Sequence, residues 1–112
     1  MWELTTKIGG NIMDKEELLE YLEINSGVKD KFMEKALDYQ NEKNQKRSFA
    51  KRWNETKVER AADKMFSTVL DNIFDKLKSS IKSSDDKKWN MFIEENNVLE
   101  NLEDSMSEIT FE

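Results

Sequence analysis

Cysteine, histidine and proline are all missing from this chain of 112 residues, and its three glycines stand at positions 9, 10 and 27. Without Cys or His, a thiolate nucleophile, a disulfide framework, a zinc finger and a histidine general base are excluded. Without Pro, and with no Gly beyond position 27, little in the remainder interrupts a helix. The carboxylates that are left for hard-metal or acid-base chemistry are scattered along helix surfaces, with no Asp-x-Asp type of loop to gather them. No metal, no cofactor and no enzymatic activity are therefore expected. Long apolar runs are also missing, so no segment reaches the roughly 20 residues of a membrane span. The N-terminus shows no basic region followed by an apolar stretch, so no signal peptide is expected and the cytoplasm is the expected location.

Charge is what the chain has in abundance. Charged residues make up 38% and hydrophobic ones 37%, with a net charge of -6, which lies between globular and partly disordered composition. The charge is segregated along the sequence: residues 1–42 hold 10 acids and 5 bases, residues 43–84 hold 5 acids and 11 bases, and residues 85–112 hold 9 acids and 2 bases. A basic middle between two acidic flanks suits different partners in different segments, with polyanions favoured by the middle.

Residues 2–8 alternate, with Trp2, Leu4, Thr6 and Ile8 on one side and Glu3, Thr5 and Lys7 on the other, the period-two signature of a half-buried strand. Gly9, Gly10 and Asn11 break it. Asp14 then stands as an N-cap, with Glu17 three residues on, and predicts a helix to about Ile24. Asn25, Ser26 and Gly27 end that helix, Gly27 being able to take the left-handed conformation of a C-cap. A second helix is predicted from near Asp30, with Phe32, Met33, Ala36, Leu37 and Gln40 on one face. A lone strand leaves backbone groups unpaired on both edges, so its simplest partner is the same strand of a second chain.

The remaining segments read as helix. From 41 to 54 the sequence is polar and basic, Lys43, Lys46, Arg47, Lys51 and Arg52 being interleaved with Phe49 and Trp53; such residues can follow a nucleic-acid backbone or cover a solvated helix. Thr56 and Glu59 have capping-box spacing and open the strongest helix, predicted over 57–81, in which Val58, Ala61, Ala62, Met65, Phe66, Val69, Leu70, Ile73, Phe74, Leu77 and Ile81 recur at three- and four-residue spacing. Ser83, Ser84, Asp85 and Asp86 then introduce a shorter helix carrying Trp89, Phe92 and Ile93, folded back as a hairpin. In the last segment, 98–112, Leu99, Leu102, Met106 and Ile109 form one apolar ridge on an anionic cylinder, with Phe111 just beyond. Such a segment either docks in a partner's groove as an amphipathic helix or closes the protein's own core.

The order of strand, short helix, Ser-Gly turn and second helix with Phe32-Met33 and Ala36-Leu37 resembles the ribbon-helix-helix family of DNA-binding dimers. That resemblance implies a mainly α homodimer in which one short strand from each chain pairs across the dimer. The three regions are then 1–40 for dimerisation and DNA binding, 41–97 for the basic segment and helical hairpin, and 98–112 for a flexible acidic tail. It implies that Thr5 and Lys7 read bases of double-stranded DNA, and that the start of the second helix, with Lys29 and Lys31, meets the DNA backbone together with Lys43, Lys46, Arg47, Lys51 and Arg52. With the acidic tail added, the layout is similar to the ParR-type adaptors of plasmid partition. The function this implies is plasmid segregation, with Leu99, Leu102, Met106, Ile109 and Phe111 docking on an actin-like filament while several dimers sit on repeated DNA sites.

Other readings share these features. A ribbon-helix-helix accessory factor of a relaxosome or an autorepressor is one, and an inhibitor that binds a host protein is another, of a different class. An ordinary helical hairpin behind an extended arm needs no DNA at all. A helix-turn-helix over 18–28 has a turn about a residue short and a recognition helix that is not especially basic.

Overall fold

The computed structural model describes residues 12–111, which form five α-helices and one short 3-10 turn. The helices are α1 (Lys15–Asn25), α2 (Val28–Gln45), α3 (Glu55–Ile81), α4 (Asp86–Glu95) and α5 (Val98–Glu108), with the 3-10 turn, Phe49–Lys51, between α2 and α3. Local chemistry sets most of these ends. Asp14 caps α1 by accepting from the Glu17 backbone N–H at 2.8 Å, and Asp85 caps α4 by accepting from Lys87 N–H at 3.0 Å. Thr56 does not open α3; Asn54 does, its Oδ1 accepting from Lys57 N–H at 2.9 Å. Lys82 and Asn97 supply the left-handed residues that end α3 and join α4 to α5.

α2 and α3 form an antiparallel hairpin, the largest helix-helix interface, and the other helices pack at the end of this hairpin remote from its connecting loop. α5 and the residues after it run parallel to α2, with contacts from Gly27, the α2 N-cap, to Tyr39. One continuous core results: Leu18 and Leu22 of α1, Val28, Phe32 and Ala36 of α2, Ala62, Phe66 and Leu70 of α3, Trp89 and Ile93 of α4 and Met106 of α5. Phe32 meets Phe66 and Phe111 with ring centroids 5.6 Å apart in each case, and Phe74 stacks on Trp89 at 5.2 Å. The Trp89 indole N–H, fully buried with its ring, donates to the Ser83 carbonyl at 2.6 Å, so the ring is buried without an orphaned donor.

This architecture corrects the ribbon-helix-helix expectation. Among the described residues there is no strand, and the only β-type pairing is an isolated antiparallel bridge between Ile12 and Asp85, with Met13 N–H donating to Ser84 O at 2.8 Å. The chain is all-α. The apolar stripe of α3 meets the first two helices within the same chain, and the strand predicted over 2–8 lies outside the described residues. The flexible C-terminal tail is corrected as well. Met106 is buried, Leu99, Leu102, Ile109 and Phe111 pack against the core, and α5 is an integral helix. Its ridge packs against the core because burying it there removes apolar area from water, which a free tail would leave exposed.

α2 begins at Val28, not near Asp30, and Gly27 is its N-cap with φ −103° rather than a left-handed C-cap for α1. The cap itself comes from far along the chain: Glu103 of α5 accepts from Gly27 N–H at 2.6 Å. A carboxylate at that place neutralises orphan N–H groups and complements the positive end of the helix dipole.

Candidate functional site

The α2/α3 tip differs from the rest of the molecule in that none of residues 41–57 is buried, so apolar burial does not shape it. Side-chain hydrogen bonds do. Asn44 grips the Trp53 backbone from both sides, its Oδ1 accepting from Trp53 N–H at 2.8 Å and its Nδ2 donating to Trp53 O at 3.0 Å. Arg52 reaches back to the end of α2, donating to Gln45 O at 3.2 Å and Arg47 O at 3.3 Å, which satisfies carbonyls the helix leaves open. Arg47 donates to Asn44 Oδ1 at 3.1 Å and lays its guanidinium over the Trp53 ring, 3.9 Å from the centroid. The Lys57 ammonium lies 5.3 Å from the same ring, and Lys43 lies 5.4 Å from the Tyr39 ring at the base of the tip. There Tyr39, Glu42, Lys43, Lys46 and Phe111 line a shallow depression of about 480 Å³.

Residues 43–57 hold six bases, Lys43, Lys46, Arg47, Lys51, Arg52 and Lys57, against one acid, Glu55. That is +5 for the tip, which leaves −11 for the rest of a chain whose total is −6. Among the described residues none of these six cations is in an ion pair; the two ion pairs found there join Lys15 to Asp71 at 2.6 Å and Lys29 to Glu23 at 3.1 Å, both outside the tip. The tip is thus a basic concentration on an acidic body, in a molecule 55 Å along its longest axis and 21 Å along its shortest.

The residues singled out from sequence separate into groups. Lys43, Lys46, Arg47, Lys51 and Arg52 come together at the tip, and the structure adds Lys57, which sequence reasoning left out although it stands one helical turn after Trp53. Lys29 and Lys31 lie at the opposite end of α2, about 25 Å away at 1.5 Å per residue. Lys29 is occupied by Glu23, and its ammonium lies 5.8 Å from the Phe66 ring. Of the backbone N–H groups of Val28 to Lys31 at the start of this helix, Val28 N–H donates to Ser26 Oγ at 3.3 Å and Lys31 N–H to Gly27 O at 2.9 Å, and just before them Gly27 N–H donates to the Glu103 carboxylate. Thr5 and Lys7 lie outside the described residues. Leu99, Leu102, Met106, Ile109 and Phe111, expected to dock on a partner, are spent on the core.

Among the described residues no three acidic side chains converge as metal ligands, and no helix is long and apolar enough to cross a membrane. A largely apolar cleft of about 280 Å³ between α3 and α5 is lined by Val69, Ile73, Leu77, Val98 and Leu102, with Asn72 and Lys76 as its polar members. No family model matches the chain, and neither a curated protein nor a solved structure does.

Proposed function

We propose that this chain is a non-enzymatic nucleic-acid-binding protein that holds the phosphate backbone through the α2/α3 tip. The observation that carries the reading is the cluster of six cations on an ordered loop, none of them in an ion pair among the described residues, on a body of opposite charge. Ammonium and guanidinium groups in such a cluster displace condensed counterions from a phosphate backbone, which supplies affinity without base recognition. Arg52 and Arg47 also brace the loop, which leaves Lys43, Lys46, Lys51 and Lys57 as the groups most available to phosphates. The acidic body disfavours lateral contact with a polyanion and so directs binding to the tip. Of the segregation-adaptor expectation the DNA contact is kept. Filament capture by the C-terminal residues is not carried forward, since their apolar side chains face the core.

The test is fluorescence anisotropy of labelled oligonucleotides, single-stranded and duplex, against the full chain from 50 to 200 mM salt. Four phosphate contacts predict a slope of log affinity on log salt of about −3. The double variant Lys46→Ala, Lys51→Ala is expected to lower the slope by about half, whereas Lys76→Ala, outside the tip, is expected to leave it unchanged. Absence of salt-dependent binding to every oligonucleotide refutes the reading.

A further inference from the structure

Phe49 is the most exposed large hydrophobic residue described, at 87%, ahead of Ile24 at 73% and Ile12 at 65%. Its ring belongs to no part of the core, and the loop does not need it. The 3-10 turn that carries it closes through backbone bonds, Lys51 N–H to Ser48 O at 2.8 Å and Arg52 N–H to Phe49 O at 3.3 Å. The Asn44 clamp and the Arg52 guanidinium fix the flanks. An aromatic ring is therefore held in water by an ordered loop, which costs solvation free energy and adds nothing to packing.

The two aromatic rings of the tip differ in what is left of their faces. Trp53 is half-buried, with the Arg47 guanidinium at 3.9 Å and the Lys57 ammonium at 5.3 Å from its centroid. Among the described residues Phe49 has only the Arg52 guanidinium, 5.9 Å from its centroid, near the outer limit for a cation over a ring. Its π surface is open, and Lys46 and Lys51 stand within three residues of it in sequence. Phosphate-binding cations beside an open aromatic face make the combination by which single strands are held: the backbone follows the charge and a base stacks on the ring. In a duplex both faces of each base are covered by neighbouring base pairs, so a ring finds no partner there without unstacking them.

On the reading that the tip binds nucleic acid, we propose that the substrate class is single-stranded, with an unpaired base seated on Phe49 and the adjoining phosphates on Lys46 and Lys51. A flexible single strand also reaches a small basic tip without bringing a second phosphate backbone against the acidic body.

Anisotropy of a labelled 12-nucleotide single strand and of the same strand hybridised to its complement, at about 100 mM salt, separates the possibilities. The wild-type chain is expected to bind the single strand more tightly. Phe49→Ala is expected to weaken single-strand binding about fivefold or more, the effect of losing one base-aromatic stack, while duplex binding changes less than twofold. Phe49→Tyr, which keeps the ring, is expected to keep the affinity. Because the ring is exposed, these variants leave the fold intact, which circular dichroism checks. If Phe49→Ala leaves the single-strand affinity unchanged, or lowers both affinities alike, or if the duplex is bound as tightly, the stacking proposal is overturned while salt-dependent binding keeps the tip reading in place. If neither form binds, both are overturned.

Discussion

The two ends of the α2/α3 hairpin are ordered by different means. At one end α1, α4 and α5 bury Leu18, Phe32, Trp89 and Ile93 almost completely, and order follows from apolar area removed from water. At the other end no residue from 41 to 57 is buried, and order follows from Asn44, Arg47 and Arg52 satisfying backbone and side-chain groups around Trp53. The first mechanism is strong and indifferent to what solvent brings. The second is weaker and leaves charged and aromatic groups facing outward, which is what a binding surface requires.

The contrast is broken most completely by truncation. Removing residues 98–112 strips Val98, Leu99, Leu102, Met106, Ile109 and Phe111 from the packed end and leaves the N-terminus of α2 without Glu103. Half-burial of six such side chains is worth roughly 5–10 kcal/mol, comparable with the roughly 5–15 kcal/mol that separates a small domain from its unfolded state. The truncated chain is expected to lose cooperative thermal unfolding by circular dichroism; a truncated chain that melts like the full one would show that α5 is an appendage.

Next in size is Trp89→Ala. The ring is fully buried, stacks on Phe74 and donates to Ser83 O, so its removal opens a cavity and orphans an acceptor. A loss of about 3–5 kcal/mol in urea unfolding is expected. Trp53, the tip's tryptophan, is only half-buried and lacks such a cavity to leave, so Trp53→Ala is expected to cost less than half as much.

These differences explain which parts of the molecule were legible beforehand. The stripe of α3 and the Asp14 and Asp85 caps lie within a turn or two of the residues they act on, so periodicity and capping chemistry locate them. Asn54 is hidden in the sequence because Thr56, two residues on, offers the same kind of oxygen and a Glu three residues later; only the folded chain decides between them. Gly27 looks like a C-cap from its neighbours alone because the group that caps its helix, Glu103, lies 76 residues away. The ridge from Leu99 to Ile109 was visible as a ridge, but periodicity gives a helix its apolar face and says nothing of what that face meets. The six tip cations were half-legible: their clustering is written in the sequence, whereas their separation from Lys29 and Lys31 follows from the course of α2.

Glu103→Ala sharpens the comparison from the other side, since it removes a polar contact from the packed end. The Glu103 carboxylate accepts a charge-assisted hydrogen bond from Gly27 at the positive end of α2, and its loss is expected to cost about 1 kcal/mol. Glu103→Gln, which keeps an acceptor but not the charge, is expected to recover part of that. An effect as large as that of Trp89→Ala would mean that the packed end also rests on polar bonds.

The smallest effect is a dependence on alkaline pH that originates at the packed end. The Asp71 carboxylate hydrogen-bonded to Lys15 raises the lysine above its usual 10.5 despite an opposing desolvation, with further help from the charges of Asp71 and Asp75. Burial raises the Tyr21 hydroxyl above its usual 10.0, and the nearby Glu94 charge adds to this. Both groups hold their protons more tightly folded than unfolded, so between the unfolded and folded values the native state binds more protons and stability falls as pH rises. The contribution of each is fully present below its unfolded value and is lost as pH passes the folded one. The melting temperature is therefore expected to stay level with respect to these groups to about pH 9.5 and to decline above about pH 10. Lys15 and Asp71 are about half exposed, at 50% and 45%, so screening keeps their share small and 1 M salt is expected to remove much of it. Tyr21→Phe, which cannot ionise, is expected to soften the decline, and Lys15→Gln to soften the remainder. A decline unchanged in the double variant would place its origin outside the α1 contacts with α3 and α4.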